Sequence, residues 1–352
     1  MVEAFAAGGM IVDNVVAADG TVRTGSMGGN AVYAAAGMRV WLDRVGIVAL
    51  VPRNYPPAFL EALAAAGIDT AGLRVMPEDV DRSEWFFYRP DGSRVDGLHA
   101  AEGALARHGL HPGRLTPNEA RRFEAQLRDA PEAGRSFGAF RREHPVQPEH
   151  LPHSFRAARS AHLGPNRADA AFALATALRR PGFRLTLDPG GQAAALLPLL
   201  PELLPRLDAI LPSEKELAVL VPERPAEAAL AALRAGGVPV AAVKRGGRGA
   251  LLDAGQPVAV PALPVRAVDP TGAGDAWCGG FLAGWLRSGD PLLAACCGTV
   301  SASFAVEAFG PLHLLRVDHA AALARLEQLL ALLPPGTAPR NIDLLRSGTI
   351  TA

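Results

Sequence analysis

The chain contains 352 residues, of which 35 are basic and 35 acidic, so its formal net charge is zero. A chain of this length can bury a substantial core as one large domain or two modest ones. Its neutral balance gives no electrostatic support for a nucleic-acid or anionic-membrane partner. The three cysteines, Cys278, Cys296 and Cys297, are too few for a disulfide framework and lack zinc-site spacing. We therefore expect buried thiols and a reducing, cytoplasmic compartment, and the first residues lack the basic flank of a signal peptide.

Short apolar runs alternate with helical stretches through most of the sequence. The apolar runs predict strands at Ala4–Ala7, Val45–Leu50, Ala161–Leu163, Arg184–Leu187, Ala209–Leu211 and Val240–Val243. The stretches between them predict helices at Asn30–Ala36, Pro57–Ala66, Ala168–Arg179 and Ala226–Ala235. This alternation predicts an α/β fold with a mostly parallel sheet that helices cover on both faces. The Leu-rich stretch 193–211 contains prolines and charged residues, so we expect no membrane span there.

Two segments depart from this alternation and predict β-hairpins. Residues 14–23 contain two strand-like runs around the turn Asp19-Gly20, and residues 85–94 contain two more around Asp91-Gly92. Together they predict a small antiparallel sheet that projects from the main domain. The aromatic run 85–88 either covers a substrate or forms the packing core of this small sheet, and the sequence leaves both alternatives open.

The run 269–275, Asp-Pro-Thr-Gly-Ala-Gly-Asp, precedes an apolar stretch that predicts a buried helix. A glycine-rich turn that opens a helix points backbone N–H groups at one spot, where the helix dipole favours an anion. The N–H groups of Gly272, Ala273 and Gly274 are the candidates to hold a phosphate. Asp275 adds a carboxylate, which suits a general base for an attacking alcohol. On its own, a Gly-x-Gly-Asp run is more often a simple helix start.

The longer string Asp269 to Leu282, DPTGAGDAWCGGFL, resembles the C-terminal signature of the ribokinase-like, or PfkB, carbohydrate kinase family. The resemblance covers roughly residues 1–95 and 160–310. It implies a single domain with a three-layer, doubly wound, mostly parallel sheet and a small antiparallel β lid from about 11–27 and 74–96. It also implies transfer of the γ-phosphoryl group of ATP, with Mg²⁺, to a hydroxyl of a sugar or polyol.

The run Gly28-Gly29-Asn30 leads into a predicted helix, where Asn30 is a good N-cap and the glycines form the preceding turn. In the family that this chain resembles, a Gly-Gly-Asn at this place contacts sugar hydroxyls, and an Asp shortly after the first strand does the same. Asp13 matches that Asp in position. The resemblance therefore implies that these residues bind the acceptor.

Two further runs match the nucleotide side of the family pattern. Ser213 and Glu216 form a capping box by spacing, and the family has an Asn-x-x-Glu here whose Glu organises magnesium and its waters. Glu216 keeps this acid, whereas Ser213 departs from the Asn, and capping competes with metal binding for the same carboxylate. Lys244, Gly246 and Gly249 resemble the family's nucleotide-side turn, although a Gly-x-x-Gly alone is a weak hairpin signal.

Three more side chains are candidates for ligand contacts. In several relatives the residue that corresponds to Asp269 lies in a monovalent-cation site, so potassium activation is a hypothesis here. His162 and Asp188 stand at the ends of predicted strands, where ligands bind in open α/β sheets.

The family pattern has a shorter connection where this chain has residues 97–155, so we interpret that segment as an insertion. Its capping box Thr116–Glu119 predicts a helix over Pro117–Ala130. The segment forms a dimer contact, a substrate-specificity element or a tolerated surface excursion, and the sequence does not choose among these.

Several alternatives to a sugar or polyol kinase stay open. They are a nucleoside kinase on the same scaffold, a kinase of phosphorylated sugars that uses Arg23, Arg89 and Arg94, and a sugar-binding regulator without turnover. Retention of Asp275 argues against the regulator. A dinucleotide oxidoreductase lacks the Gly-x-Gly-x-x-Gly expected after the first strand. The expected partner is a small molecule, and a homodimer through the lid is a further hypothesis.

Overall fold

The computed structural model describes residues 1–89, 94–96, 134–165 and 167–347. Its main sheet has nine strands in the order β13-β12-β11-β10-β9-β8-β1-β4-β5. The strands are β1 (Ala4–Ala7), β4 (Val45–Val51), β5 (Ile68–Val75), β8 (Ser160–Leu163), β9 (Arg184–Leu187), β10 (Ala209–Ile210), β11 (Val240–Lys244), β12 (Ala250–Asp253) and β13 (Pro257–Val260). Neighbours pair in parallel from β5 to β11, and β12 and β13 extend the edge antiparallel. All six predicted main-sheet strands are confirmed.

The strand order reverses at β1, which lies between β4 and β8. From β1 the chain builds the sheet outward through β4 and β5, and it returns to the other side of β1 to build β8 to β11. This is the doubly wound topology predicted from the sequence. In such sheets the crevice outside the carboxyl ends of the two central strands binds ligands.

Helices cover both faces of the sheet, so the main domain has three layers. They are Asn30–Arg39, Pro57–Ala65, Phe137–Glu143, Ala168–Leu178, Ala193–Leu196, Leu200–Leu203, Glu214–Leu220, Ala226–Ala235, Ala273–Ser288, Pro291–Ala305, His319–Leu330 and Ile342–Ser347. Side chains alternate along β1: Ala4 and Ala6 belong to one core, and Phe5 and Ala7 to the other. Such near-continuous apolar strands form because parallel sheets are buried on both faces.

A second, four-stranded sheet forms the lid, in the order β3-β2-β6-β7. Its strands are β2 (Ile11–Val16), β3 (Val22–Gly28), β6 (Glu84–Tyr88) and β7 (Arg94–Asp96). Both predicted hairpins are antiparallel, β2 with β3 and β6 with β7, but β2 and β6 join them in parallel. The turn at residues 90–93 lies outside the described residues.

The helix Ala273–Ser288, which we call the cradle helix, is buried from Ala276 onward, as its apolar sequence predicts. A Cβ added to Gly279 would lie 1.9 Å from the backbone oxygen of Ala34. The glycine therefore permits the close approach of the helix Asn30–Arg39, which carries the Gly-Gly-Asn run at its start. Packing of these two helices fixes the start of the cradle helix relative to the Gly-Gly-Asn run.

The described end of the predicted insertion, residues 134–155, contributes side chains to the core. Phe137, Phe140 and Phe155 are each at most 4% exposed. Phe155 packs on Phe5 of β1, with ring centroids 5.5 Å apart. The predicted helix over 117–130 lies outside the described residues.

The three cysteines and the Leu-rich stretch 193–211 lie in different parts of the molecule. All three cysteines are buried and free, as expected. The Leu-rich stretch 193–211 breaks into short helical turns and β10. Within the described residues, no helix has the length and apolar character to cross a membrane.

Candidate active site

The turn that precedes the cradle helix forms the cradle, which is the set of backbone N–H groups predicted to hold a phosphate. Gly272 is the N-cap, with a left-handed φ of 72°, and a Cβ there would lie 2.2 Å from the ring of Tyr33. Only glycine fits this conformation and this space. The N–H of Ala273 donates to the Pro270 oxygen at 3.2 Å, so the predicted phosphate contact of this residue has a competitor. In the described part of the chain, the N–H groups of Gly274 and Asp275 have no backbone partner.

Asp275 is the third residue of the cradle helix and stays partly exposed, although the helix is buried beyond it. The pKa of Asp275 is raised to about 7, mainly by burial and then by the charge of Asp188, while Lys244 opposes the shift and Glu216 adds to it. The carboxyl group therefore exchanges its proton near neutral pH. The role of Asp275 as a general base stays a prediction.

Lys244 ends β11 and places an ammonium group beside the cradle. A Cβ on Gly274 would lie 3.5 Å from Lys244 Nζ. The ammonium forms a buried ion pair with Asp188, at the end of β9, and donates to Cys278 Sγ at 3.5 Å. Burial lowers the pKa of Lys244, but Asp188 and the other acidic groups outweigh burial and hold it well above its ordinary value. A permanent positive charge thus lies beside the start of the cradle helix.

The capping box predicted for residues 213–216 is formed. Glu216 Oε2 accepts from the Ser213 N–H at 2.7 Å, and the Ser213 hydroxyl accepts from the Glu216 N–H at 3.5 Å. Burial and then Asp188 raise the pKa of Glu216, and Lys244 opposes them. Capping occupies one carboxylate oxygen and leaves Oε1, so the two predicted roles are compatible in space. The magnesium role stays a prediction.

The nucleotide-side turn joins β11 to β12. Gly246 and Gly249 both have left-handed φ values, 56° and 80°, which favour glycine. A Cβ on Gly249 would lie 2.1 Å from the Val260 oxygen. Arg248 of the same turn pairs with Glu214 at 2.5 Å, which links the turn to the helix Glu214–Leu220. The two glycines therefore permit the conformation of this turn, and its nucleotide contact stays a prediction.

Asn30 bridges the two central strands at the switch point. Its Oδ1 accepts from the Gly9 N–H at 2.7 Å, and its Nδ2 donates to the Gly164 oxygen at 3.1 Å. Gly29, the N-cap, has a φ of 106°, and a Cβ there would lie 2.3 Å from the Gly9 oxygen. Asn30 makes no side-chain cap to its own helix. It ties together the chain just beyond β1 and β8, and acceptor binding by Asn30 stays a prediction.

Asp13 lies on β2 of the lid and is only 1% exposed. Gly28 on β3 leaves room for it, because a Cβ there would lie 1.9 Å from Asp13 Oδ2. Its Oδ1 is buried and has no hydrogen-bond partner among the described residues. Burial raises the pKa of Asp13 well above its ordinary value, and Asp269 adds to this, while Arg141 opposes it. An unpaired buried carboxylate oxygen is a natural acceptor for a substrate hydroxyl.

Asp269 begins the glycine-rich run and is 1% exposed. Its Oδ1 accepts from the Thr271 N–H at 2.9 Å, and its Oδ2 is buried without a partner among the described residues. Burial raises the pKa of this carboxyl group. An orphaned buried carboxylate oxygen fits a bound cation, so the donor chemistry is compatible with the predicted monovalent-cation site.

Tyr33 and Arg141 were not predicted for the site, whereas Tyr88 belongs to the aromatic run 85–88 that the sequence offered for substrate contact. Tyr88 of the lid shares a 3.0 Å hydrogen bond with Thr271, which ties the lid to the cradle turn. Tyr33 lies one helical turn after Asn30, so its proximity to that residue is readable from spacing. No sequence signal marks Arg141, whose charge interacts with Asp13 and Asp275. It reaches the site only through folding of the predicted insertion.

Two lid aromatics and His162 are buried within their own sheets. Trp85 and Phe87 stack with ring centroids 5.7 Å apart and are buried, so they form the core of the lid sheet. His162 is 1% exposed, its Nδ1 lies 2.9 Å from the Thr186 hydroxyl, and burial lowers its pKa to about 4. It is therefore neutral and buried, and its ligand contact stays a prediction.

Comparisons with known proteins agree with this arrangement. Residues 153–316 match the model of the pfkB family carbohydrate kinases. A cytidine kinase from Thermococcus kodakarensis is 26% identical over 299 residues, which cover 83% of this chain and 91% of that protein. The nucleoside kinase of Methanocaldococcus jannaschii, an archaeal member of the ribokinase family, is similar in structure, with a TM-score of 0.65 and 16% identity over 93% of this chain and 99% of that one. A putative ribokinase II from E. coli, in complex with ATP and Mg²⁺, gives a TM-score of 0.65 and 19% identity, and the match covers 93% of this chain and 100% of that one. These structures confirm the predicted fold.

Proposed function

Because residues 153–316 match the pfkB family carbohydrate kinases and the fold is that of ribokinase-family structures, we propose that the chain transfers the γ-phosphoryl group of ATP to a hydroxyl group of a nucleoside. The position of Asp275 carries this proposal: a partly exposed carboxylate lies beside free helix N–H groups and the Lys244 ammonium. A base, an anion cradle and a fixed positive charge in one place are the parts that phosphoryl transfer to an alcohol needs.

In the proposed reaction the acceptor hydroxyl loses its proton to Asp275 while its oxygen attacks the γ-phosphorus of ATP. ADP departs with the electron pair of the broken P–O bond. The N–H groups of Gly274 and Asp275 donate to oxygens of the transferred group, and Lys244 balances part of its charge. A pKa of about 7 suits Asp275 to this role, since a base works best when its pKa lies near the working pH.

Magnesium bound with ATP would neutralise phosphate charge and orient the phosphates. In the described part of the chain, no group of three or more His, Cys, Asp or Glu side chains could hold a metal ion. Magnesium in such sites is usually held by phosphate and water with one or two carboxylates. Glu216 is the residue that we assign to a water-mediated contact with it, and Asp269 is the residue that we assign to potassium.

Among acceptors, we place nucleosides ahead of the sugars and polyols favoured by the sequence analysis. A relative matched over most of its length is a cytidine kinase, and a similar structure is a nucleoside kinase. Sugars are the second candidate, because the matching family model describes carbohydrate kinases. In both cases Asp13 is the residue that we expect to accept hydrogen bonds from the acceptor hydroxyls.

A coupled ADP-release screen tests the proposal with the full chain, ATP and Mg²⁺. The acceptors are cytidine, uridine, adenosine and inosine, a set of free sugars, and a set of polyols. We expect turnover with at least one nucleoside well above the rate without acceptor. Turnover with sugars alone would move the assignment to the second candidate, and no acceptor-dependent ADP formation at all would refute the kinase.

A further inference from the structure

The helix Phe137–Glu143 lies within the segment predicted to be an insertion, yet it is fastened to the lid. Asp81 and Arg135 exchange hydrogen bonds, with the Asp81 N–H donating to the Arg135 oxygen at 2.8 Å and Asp81 Oδ2 accepting from the Arg135 N–H at 2.7 Å. Glu84 of β6 accepts from the Gly138 N–H at 2.6 Å. These hydrogen bonds fix the position of the helix relative to the lid strand.

The same strand places this helix next to Asp13. Glu84 is the direct partner of Asp13 in the register of β2 and β6. On the neighbouring side, the ring of Phe137 packs on Tyr55 at 6.2 Å, and the Tyr55 hydroxyl donates to the Ile11 oxygen of β2. Two separate contacts thus bring the helix against the strand that carries the candidate acceptor carboxylate.

Arg141 follows Phe137 by four residues, so both side chains project from the same face of the helix. Its Nε is buried and has no hydrogen-bond partner among the described residues. Burial lowers the pKa of Arg141, and the charges of Glu84, Asp13 and Asp275 oppose that effect. A buried guanidinium nitrogen without a partner costs free energy, which a ligand oxygen can recover.

We propose that Arg141 determines acceptor specificity: its guanidinium donates to a nucleobase carbonyl oxygen while Asp13 accepts from a ribose hydroxyl. This inference rests on the proposed function and names the part of the acceptor that the insertion recognises. The chemistry is complementary, since guanidinium only donates and a carbonyl only accepts. A carboxylate alone cannot select for such a carbonyl, so the insertion adds a specificity that Asp13 lacks.

Calorimetric titrations of the full chain with cytidine and with methyl β-D-ribofuranoside test this inference, in the presence of a non-hydrolysable ATP analogue. The two probes share the ribose hydroxyls and differ in the base. We expect the wild type to bind cytidine at least about tenfold more tightly, the ratio expected for a hydrogen bond to a charged donor. Arg141→Met should bring the two affinities within about threefold of each other, and Arg141→Lys should be intermediate because it keeps charge without the planar fork.

The matched control is Arg142→Met, because Arg142 is the exposed neighbour of Arg141 on the same helix. It should keep the wild-type preference, and thermal melting should show that all variants are folded. An unchanged preference in Arg141→Met, or an equal loss of affinity for both probes, would overturn the inference. If Arg141→Met does not fold, Arg141→Lys serves in its place. A full wild-type preference for cytidine in Arg141→Lys would then overturn the inference. Wild-type protein that binds neither probe would instead refute the nucleoside assignment, and this inference with it.

Discussion

The pKa of Asp275, raised to about 7 by burial, makes the activity of the protein depend on pH in a calculable way. Only the ionised carboxylate can accept the proton of the acceptor hydroxyl. With this pKa, about 10% of the carboxylate is ionised at pH 6 and about 90% at pH 8. We expect kcat/KM, measured by ADP release at saturating ATP, to rise about tenfold between these pH values.

Asp275→Asn removes the base without changing the shape of the side chain. We expect kcat to fall by about 10²- to 10⁴-fold, the usual contribution of a positioned general base. The rise in rate between pH 6 and pH 8 should disappear in the residual activity. Nucleotide affinity should change little, because the cradle N–H groups belong to the backbone.

The same raised pKa predicts that Asp275 destabilises the fold at high pH. Below about pH 4 the carboxyl is protonated in both the folded and the unfolded state, so it costs nothing. As the pH rises to about 7, the carboxyl group ionises more readily in the unfolded state than in the folded state. The free energy of unfolding therefore falls, and it has lost the full contribution above about pH 7. A change in pKa from 3.8 to about 7 corresponds to roughly 4 kcal/mol of unfolding free energy. Partial solvent access to the carboxylate reduces this to roughly 1–3 kcal/mol. Asp275→Asn should therefore stabilise the protein at pH 8 and not at pH 4.

Asp169→Asn is the matched control, because Asp169 is an exposed carboxylate that pairs with Arg167 at the surface. It should leave both the pH profile and kcat unchanged. Urea titrations at pH 4 and pH 8 measure the stability effect. An Asp275→Asn protein that retains the wild-type rate and the same acidic limb would refute Asp275 as the base.

Three further predictions concern groups around the cradle. Gly272→Ala should lower the free energy of unfolding more than Gly182→Ala, because both have left-handed φ values but only a Cβ at Gly272 meets a ring at 2.2 Å; equal losses in urea titrations would contradict this packing argument. Lys244→Met should cost about 3–5 kcal/mol, because it leaves the buried Asp188 carboxylate unpaired. Adding Asp188→Asn to that variant should restore part of the loss in chemical denaturation, and no recovery would exclude the ion pair as the cause. Turnover should increase when potassium replaces sodium, and Asp269→Asn should abolish the difference; identical wild-type rates in the two salts would remove the cation site.

The sequence by itself determined the features that depend on short spacings. The capping box of Ser213 and Glu216, the start of the cradle helix after Gly272 and the two lid hairpins all follow from residues within a few positions of each other. The predicted order of strands and helices was confirmed for the same reason, since apolar periodicity is a local property. Strands β5, β12 and β13 of the main sheet were not predicted.

Only the tertiary structure decided which distant residues share a site. Lys244 and Asp188 are 56 positions apart, and their ion pair exists because β11 and β9 end at the same edge of the sheet. Arg141 reaches Asp13 because its helix is bonded to β6, which pairs with β2. The pKa of Asp275 likewise depends on burial and on charges brought from other strands. Local spacing fixes which groups a segment offers, whereas packing between segments fixes which of these groups act on one another.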